Sequence, residues 1–195
     1  NKVLYDFFRS GIYDRNREFV LTSSPSMDIL ISSNLERLIY LIAGEDADKN
    51  RELMESLSGN GAYTITEDMR ARLGDFYGNF ASEEETAGTI RSLYEKEGYV
   101  IDPHTAVAAC VYEKYREKTG DNTPSVIVST ASPYKFTGSV MSALGEEYED
   151  PADLSLAERL CALSGVEIPE AIEEIRTAPV LHTRVCGKED MKKTV

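Results

Sequence analysis

Hydrophobic positions recur with the helical period over most of the chain, and a few short β-branched or aromatic runs interrupt them. In residues 3–9, Val3, Leu4, Phe7 and Phe8 share one helical face, and Gly11 is placed to end that helix. Residues 27–43 carry apolar side chains at Met27, Leu30, Ile31, Leu35, Leu38, Ile39 and Ile42, which predicts one long, largely buried helix. Ser32, Ser33, Asn34 and Arg37 interrupt that pattern, and Asn34 and Arg37 lie one turn apart on the same side. Residues 44–97 read as a helical insertion. Its helices are expected over 48–57, closed by Ser58-Gly59-Asn60-Gly61, over 66–76 with Thr66 as N-cap, and from a Ser82-Glu83-Glu84-Glu85 capping box. Asp102-Pro103-His104-Thr105 predicts a strong helix start, with Asp102 as N-cap and Pro103 at the first helical position, and the helix should run to Gly120. Further helices are expected over about 134–144 and 151–164, and from Pro169 with Ala171, Ile172 and Ile175 facing inward.

The interrupting runs are candidate strands: Phe19-Val20-Leu21, Tyr99-Val100-Ile101, Val126-Ile127-Val128 and residues 180–186. Together with the helices they predict an α/β fold, helix-rich, with a small, mostly parallel sheet flanked by helices. The run at 126–128 should be buried on both faces. It stops abruptly at Ser129, Thr130 and Ser132, three hydroxyls within four residues, before Pro133 opens a helix. Ligands in open α/β sheets sit outside the carboxyl ends of the strands, so this is where a ligand is expected, although such a stretch also suits a satisfied strand-to-helix turn. Residues 22–26, the helix start at Asp102 and residues 129–132 are each a polar break at the edge of an apolar element. They are expected to converge on one concavity.

Composition narrows the partners. The 195 residues are 42% hydrophobic, enough for one sizeable core. Thirty-four acidic residues against 21 basic give a net charge of -13, and no Lys/Arg cluster rises above it, so nucleic acid and anionic membrane are poor partners. No apolar run approaches a bilayer span and the start lacks signal-peptide character, so a soluble, cytoplasmic protein is expected. Cys110, Cys161 and Cys186 are odd in number and far apart, which suggests buried thiols and neither a disulfide framework nor a metal site. His104 and His182, the two histidines, both read first as structural residues. No nucleophile elbow, zinc-protease motif, P-loop or dinucleotide fingerprint occurs.

Four blocks, in this order, resemble threonine synthase, a pyridoxal-phosphate enzyme of the tryptophan-synthase β fold group. They are residues 1–11 (NKVLYDFFRSG), Ser24-Pro25-Ser26-Met27-Asp28-Ile29 with Ser33-Asn34-Leu35-Glu36-Arg37, residues 102–108 (DPHTAVA), and residues 129–136 (STASPYKF). The resemblance implies an enzyme that converts O-phosphohomoserine and water to threonine and phosphate, with pyridoxal phosphate held by a lysine. It places Thr130 on the cofactor's pyridine nitrogen, Asp102 and His104 near that side of the ring, and Asn34 and Arg37 in a block whose chemistry suits substrate binding. Ser132 stands where many relatives have histidine. The family's lysine motif and its glycine-asparagine phosphate loop do not occur here, so the expectation is a C-terminal fragment without its covalent anchor, inactive, not retaining the cofactor, and prone to self-association. Two other readings stay open: a threonine or serine dehydratase-like member of the fold group, and an acidic interaction domain with a degenerate cofactor site.

Overall fold

A computed structural model describes residues 2–150 and 153–194, which gather around two adjoining hydrophobic cores. The first core is built by α1 (Val3–Ser10), β1 (Ile12–Asp14), α2 (Leu35–Ile42), α3 (Ala47–Asn60), β2 (Ala62–Thr64) and α4 (Glu67–Ala71). Gly11 takes the left-handed conformation at φ 75° and closes α1 with a bond from its N–H to the Phe7 carbonyl, so the chain turns directly into β1. β1 and β2 pair antiparallel with Tyr13 opposite Tyr63. Their rings stack at 5.3 Å, and Phe7 packs edge-on to both at 6.0 and 6.1 Å.

Tyr13 explains why residues 27–43 are not one helix. Its hydroxyl donates to the Leu30 carbonyl (2.9 Å) and accepts the Ser32 N–H (2.8 Å), capturing two backbone groups that a continuous helix would use. Burial raises the Tyr13 pKa above the ordinary phenol value and keeps that donor protonated. The chain forms a 3₁₀ turn at Pro25–Met27, and helix begins only at Leu35, leaving Met27 and Ile31 exposed.

The second core is built by α5 (Glu83–Glu97), α6 (Pro103–Thr119), α7 (Thr137–Ala143), which follows a 3₁₀ turn at Pro133–Phe136, and α8 (Leu156–Ser164). Ile90, Val140, Met141 and Leu160 lie at its centre. The capping box forms: the Glu85 N–H donates to Ser82 Oγ (3.1 Å) and the Ser82 N–H to Glu85 Oε2 (2.8 Å). The helix expected over 151–164 begins only at Leu156, after a turn at 154–155; residues 151 and 152 lie outside the described residues. Two short helices follow, α9 (Glu170–Thr177) and α10 (Met191–Thr194). On α9 only Ile172 packs on the core, while Ile175 is exposed.

Residues 44–97, expected as a helical insertion, contain β2 and supply both cores: Leu53, Leu57 and Tyr63 enter the first, Ile90 the second. The expectation of a mostly parallel sheet is overturned, because the sheet among the described residues is the antiparallel pair β1 and β2. None of the four runs read as strands belongs to it. Val100 and Ile101 are buried as the lead-in to α6, whereas Val126 and Val185 are 90% and 97% exposed. A β-branched run favours extended backbone, but a strand exists only through a ladder, and among the described residues no neighbour pairs with these segments. The thiol expectation holds for Cys110, which is buried; Cys161 is half-buried and Cys186 exposed. Among the described residues no helix is long and apolar enough to cross a membrane, and no group of acidic, histidine and cysteine side chains is set to hold a metal.

Candidate functional site

The three polar breaks are linked by hydrogen bonds through the start of α6, but not in the one concavity expected: residues 22–26 line one cavity, and Thr105 and Ser129 line another. Asp102 is the N-cap of α6 and fully buried, and its carboxylate accepts four bonds. Oδ2 takes the His104 N–H and His104 Nδ1, both at 2.9 Å. Oδ1 takes the Thr105 N–H (3.3 Å) and the Thr105 hydroxyl. A helix start leaves free N–H groups, and the aspartate satisfies them while orienting the imidazole.

The His104 ring, 6% exposed, is engaged on both sides. Its Nε2 lies 3.3 Å from the Ser26 N–H, and an N–H can only donate, so Nε2 accepts and the ring proton sits on Nδ1, facing Asp102. Phe136 packs against the ring at 4.8 Å between centroids. On the other side, Thr105 Oγ1 and Ser129 Oγ stand 3.0 Å apart. A carboxylate cannot donate, so the Thr105 hydroxyl is the donor toward both Asp102 Oδ1 and Ser129 Oγ, and the Ser129 hydroxyl faces the Ala131 carbonyl at 3.5 Å. The result is one relay, Ser129 to Thr105 to Asp102 to His104 to Ser26.

A second carboxylate fixes the loop that carries Ser26. Asp28 is fully buried and accepts the Thr22 N–H (2.7 Å) and the Thr22 hydroxyl (2.8 Å). Glu83, on the first turn of α5, takes the Ser23 N–H and hydroxyl at 3.1 and 3.2 Å. This loop walls a cavity of about 430 Å³ whose polar side is formed by Thr22, Ser24, Ser26, Ser32, Ser33 and Asn34. The relay's other end opens on a cavity of about 780 Å³ lined by Thr105, Ile127 and Ser129.

Asp102 and His104 are therefore brought together, Asn34 lines the smaller cavity, and Arg37 is exposed outside it. Thr130 is exposed on the hydroxylated turn, and among the described residues nothing hydrogen-bonds its side chain. Ser132 is occupied as a cap, accepting the Tyr134 N–H at 3.2 Å. Thr105, Asp28 and Tyr13 organise the site without having been singled out in the sequence. Thr105 had a signal, as a hydroxyl three residues after an aspartate N-cap; Asp28 lay within a block that resembles the family, but no periodicity marked it, because its partner Thr22 is a loop residue of irregular backbone.

These groups fit one end of pyridoxal phosphate. Thr130 carries a hydroxyl with no hydrogen-bond partner among the described residues, whereas Asp102 and His104 are saturated by protein partners. Among the described residues, neither glycine-asparagine segment forms a phosphate cradle: Gly61 of Gly59-Asn60-Gly61 is the left-handed cap of α3, and Gly78 lies against the Phe8 ring.

The chain is similar to known proteins over most of its length. Residues 105–180 match the family model "Threonine synthase, C-terminal". Threonine synthase of Saccharomyces cerevisiae is 38% identical over 159 residues, covering 74% of this chain and 31% of the yeast protein. Human threonine synthase-like 1 is 42% identical over 146 residues, covering 74% of this chain and 19% of that protein. The crystal structure of pyridoxal-phosphate-bound threonine synthase from Brucella melitensis superposes with a TM-score of 0.66 at 38% identity, over 85% of this chain and 34% of that one. A helix-rich α/β chain with a hydroxylated turn beside a buried aspartate-histidine pair thus resembles part of an enzyme whose crystal structure holds pyridoxal phosphate. The chain belongs to the threonine synthase family and corresponds to its C-terminal portion. It spans about a fifth to a third of the length of the relatives it matches.

Proposed function

We propose that this chain is the part of a threonine synthase that presents Thr130 to the pyridine nitrogen of pyridoxal phosphate, in a cytoplasmic lyase that converts O-phosphohomoserine and water to threonine and phosphate. The observation that carries this reading is the Thr130 hydroxyl, exposed and unpartnered among the described residues, within the segment that matches the family model. Bound pyridoxal phosphate supplies the electron sink for elimination and water addition. A neutral hydroxyl at its nitrogen does not stabilise a positive ring as a carboxylate would, so Thr130 tempers that sink. Asp102 and His104 serve the cofactor at one remove, by holding Thr105 and Ser129 behind the turn. Asn34 and Arg37 are assigned to the substrate: Asn34 lines the smaller cavity, and Arg37 is one turn further along α2, with a guanidinium suited to phosphate.

The chain on its own is proposed to be inactive and not to retain the cofactor. One neutral hydrogen bond contributes about 1 kcal/mol net, far below an imine link and a charged phosphate site. After addition of pyridoxal phosphate and reduction with borohydride, lysine labelling should be scattered, substoichiometric and unchanged by Thr130→Val. A single stoichiometric lysine whose labelling needs Thr130 would overturn the inactivity reading. The activity arm uses a chimera in which this chain replaces the matched region of the yeast enzyme. Phosphate release from O-phosphohomoserine is expected, with Thr130→Val lowering it about tenfold, and a chimera that folds and binds cofactor but releases no phosphate would sink the assignment.

Self-association is proposed for the same isolated chain. Val126, Val128, Val180, Leu181 and Val185 are all more than two-thirds exposed on unpaired extended segments. Light scattering should show mass rising with concentration, and Thr at Val126, Val128 and Val180 should reduce the rise. A strict monomer across the range would contradict this.

A further inference from the structure

We propose that His104 is a positioning residue that ties the loop of residues 22–27 to the turn of residues 129–132, holding the walls of the two cavities in one register. The proposal goes beyond the cofactor reading and does not depend on it. Its basis is the polarity of the relay. Asp102 cannot donate and the Ser26 N–H cannot accept, so the imidazole must present a proton at Nδ1 and a lone pair at Nε2. Free neutral imidazole prefers the opposite tautomer, with the proton on Nε2, so the protein selects the minor form. That selection is useful only if both ring faces are fixed. Asp102 is locked to the α6 start by backbone donors, and Ser26 sits in a loop that the Asp28 carboxylate closes on itself and Glu83 ties to the start of α5. Thr105 extends the connection to Ser129, so a displacement of the Ser26 backbone reaches the Ser129 wall through His104, Asp102 and Thr105 in turn. The bland alternative is that His104 only fills space against Phe136.

The chain has two histidines, so nitrogen-15 labelling with a His182→Asn control assigns the ring signals. On the unmodified chain, without cofactor, the His104 ring should show a protonated Nδ1 and an unprotonated Nε2. The reverse tautomer, or a rapidly averaged pair, would overturn the proposal without touching the cofactor reading. Two variants then separate positioning from packing. Asn carries its amide near the Nδ1 position and Gln near the Nε2 position, so His104→Asn should speed exchange of the Ser26 amide about tenfold. His104→Gln should restore most of the protection by accepting the same N–H. Equal exchange in both variants means that the ring acts by volume alone and that the relay positions nothing.

Discussion

Asp102→Ala is expected to destabilise the chain by about 3–5 kcal/mol, measured as a fall in unfolding free energy in urea. The substitution removes the α6 N-cap, which contributes about 1 kcal/mol by itself. It also leaves the His104 and Thr105 N–H groups, His104 Nδ1 and the Thr105 hydroxyl without their acceptor, at a position with no solvent exposure. Hydrogen bonds to a charged group contribute about 1.5–3 kcal/mol each, but the hydroxyl and the ring can re-pair with water or turn away, so the four losses do not add in full. Asp102→Asn keeps one carbonyl oxygen and points an amide N–H₂ at a donor, and about half the loss is expected. A change below about 1 kcal/mol for the alanine variant would mean that the aspartate is solvated in solution and that the buried relay is not the native arrangement.

The contrast between helices and strands shows what this sequence could and could not disclose. Helix starts were legible because their signals are local: Asp102-Pro103, Ser82 with Glu85, and Thr66 each cap the backbone within three residues of themselves. Helix ends at Gly11, Gly61, Gly120 and Gly165 were legible for the same reason, since each takes the left-handed conformation. Strands depend on a partner that may be distant in the chain. β1 and β2 were missed because Ile12-Tyr13-Asp14 and Ala62-Tyr63-Thr64 are three residues each, too short to show alternation, and are held by the stacked tyrosines. Conversely, Val126-Ile127-Val128 has the composition of a strand and finds no ladder among the described residues. Asp102 and His104 were placed together by a family resemblance, but that both are saturated by Thr105 and Ser26 depends on loop geometry that no periodicity encodes.

Phe7→Ala tests the other half of the architecture and should cost about 3–5 kcal/mol, the range for removing a fully buried aromatic ring. Its effect should also reach the smaller cavity. Phe7 contacts Tyr13 and Tyr63 edge-on, and the Tyr13 hydroxyl holds both Leu30 and Ser32, so loss of the ring frees Tyr13 to shift and loosens the Ser32 to Asn34 wall. Leu160→Ala supplies the control. Leu160 is equally buried, lies in the second core, and should cost about 2–5 kcal/mol without touching Tyr13. Amide exchange at Ser32, measured under conditions where both variants remain folded, should accelerate in Phe7→Ala and stay near its original rate in Leu160→Ala. If both variants accelerate Ser32 equally, the two cores open as one cooperative unit and the cavity wall reports global stability; if neither does, the Tyr13 bonds survive without Phe7, and β1 alone fixes that wall.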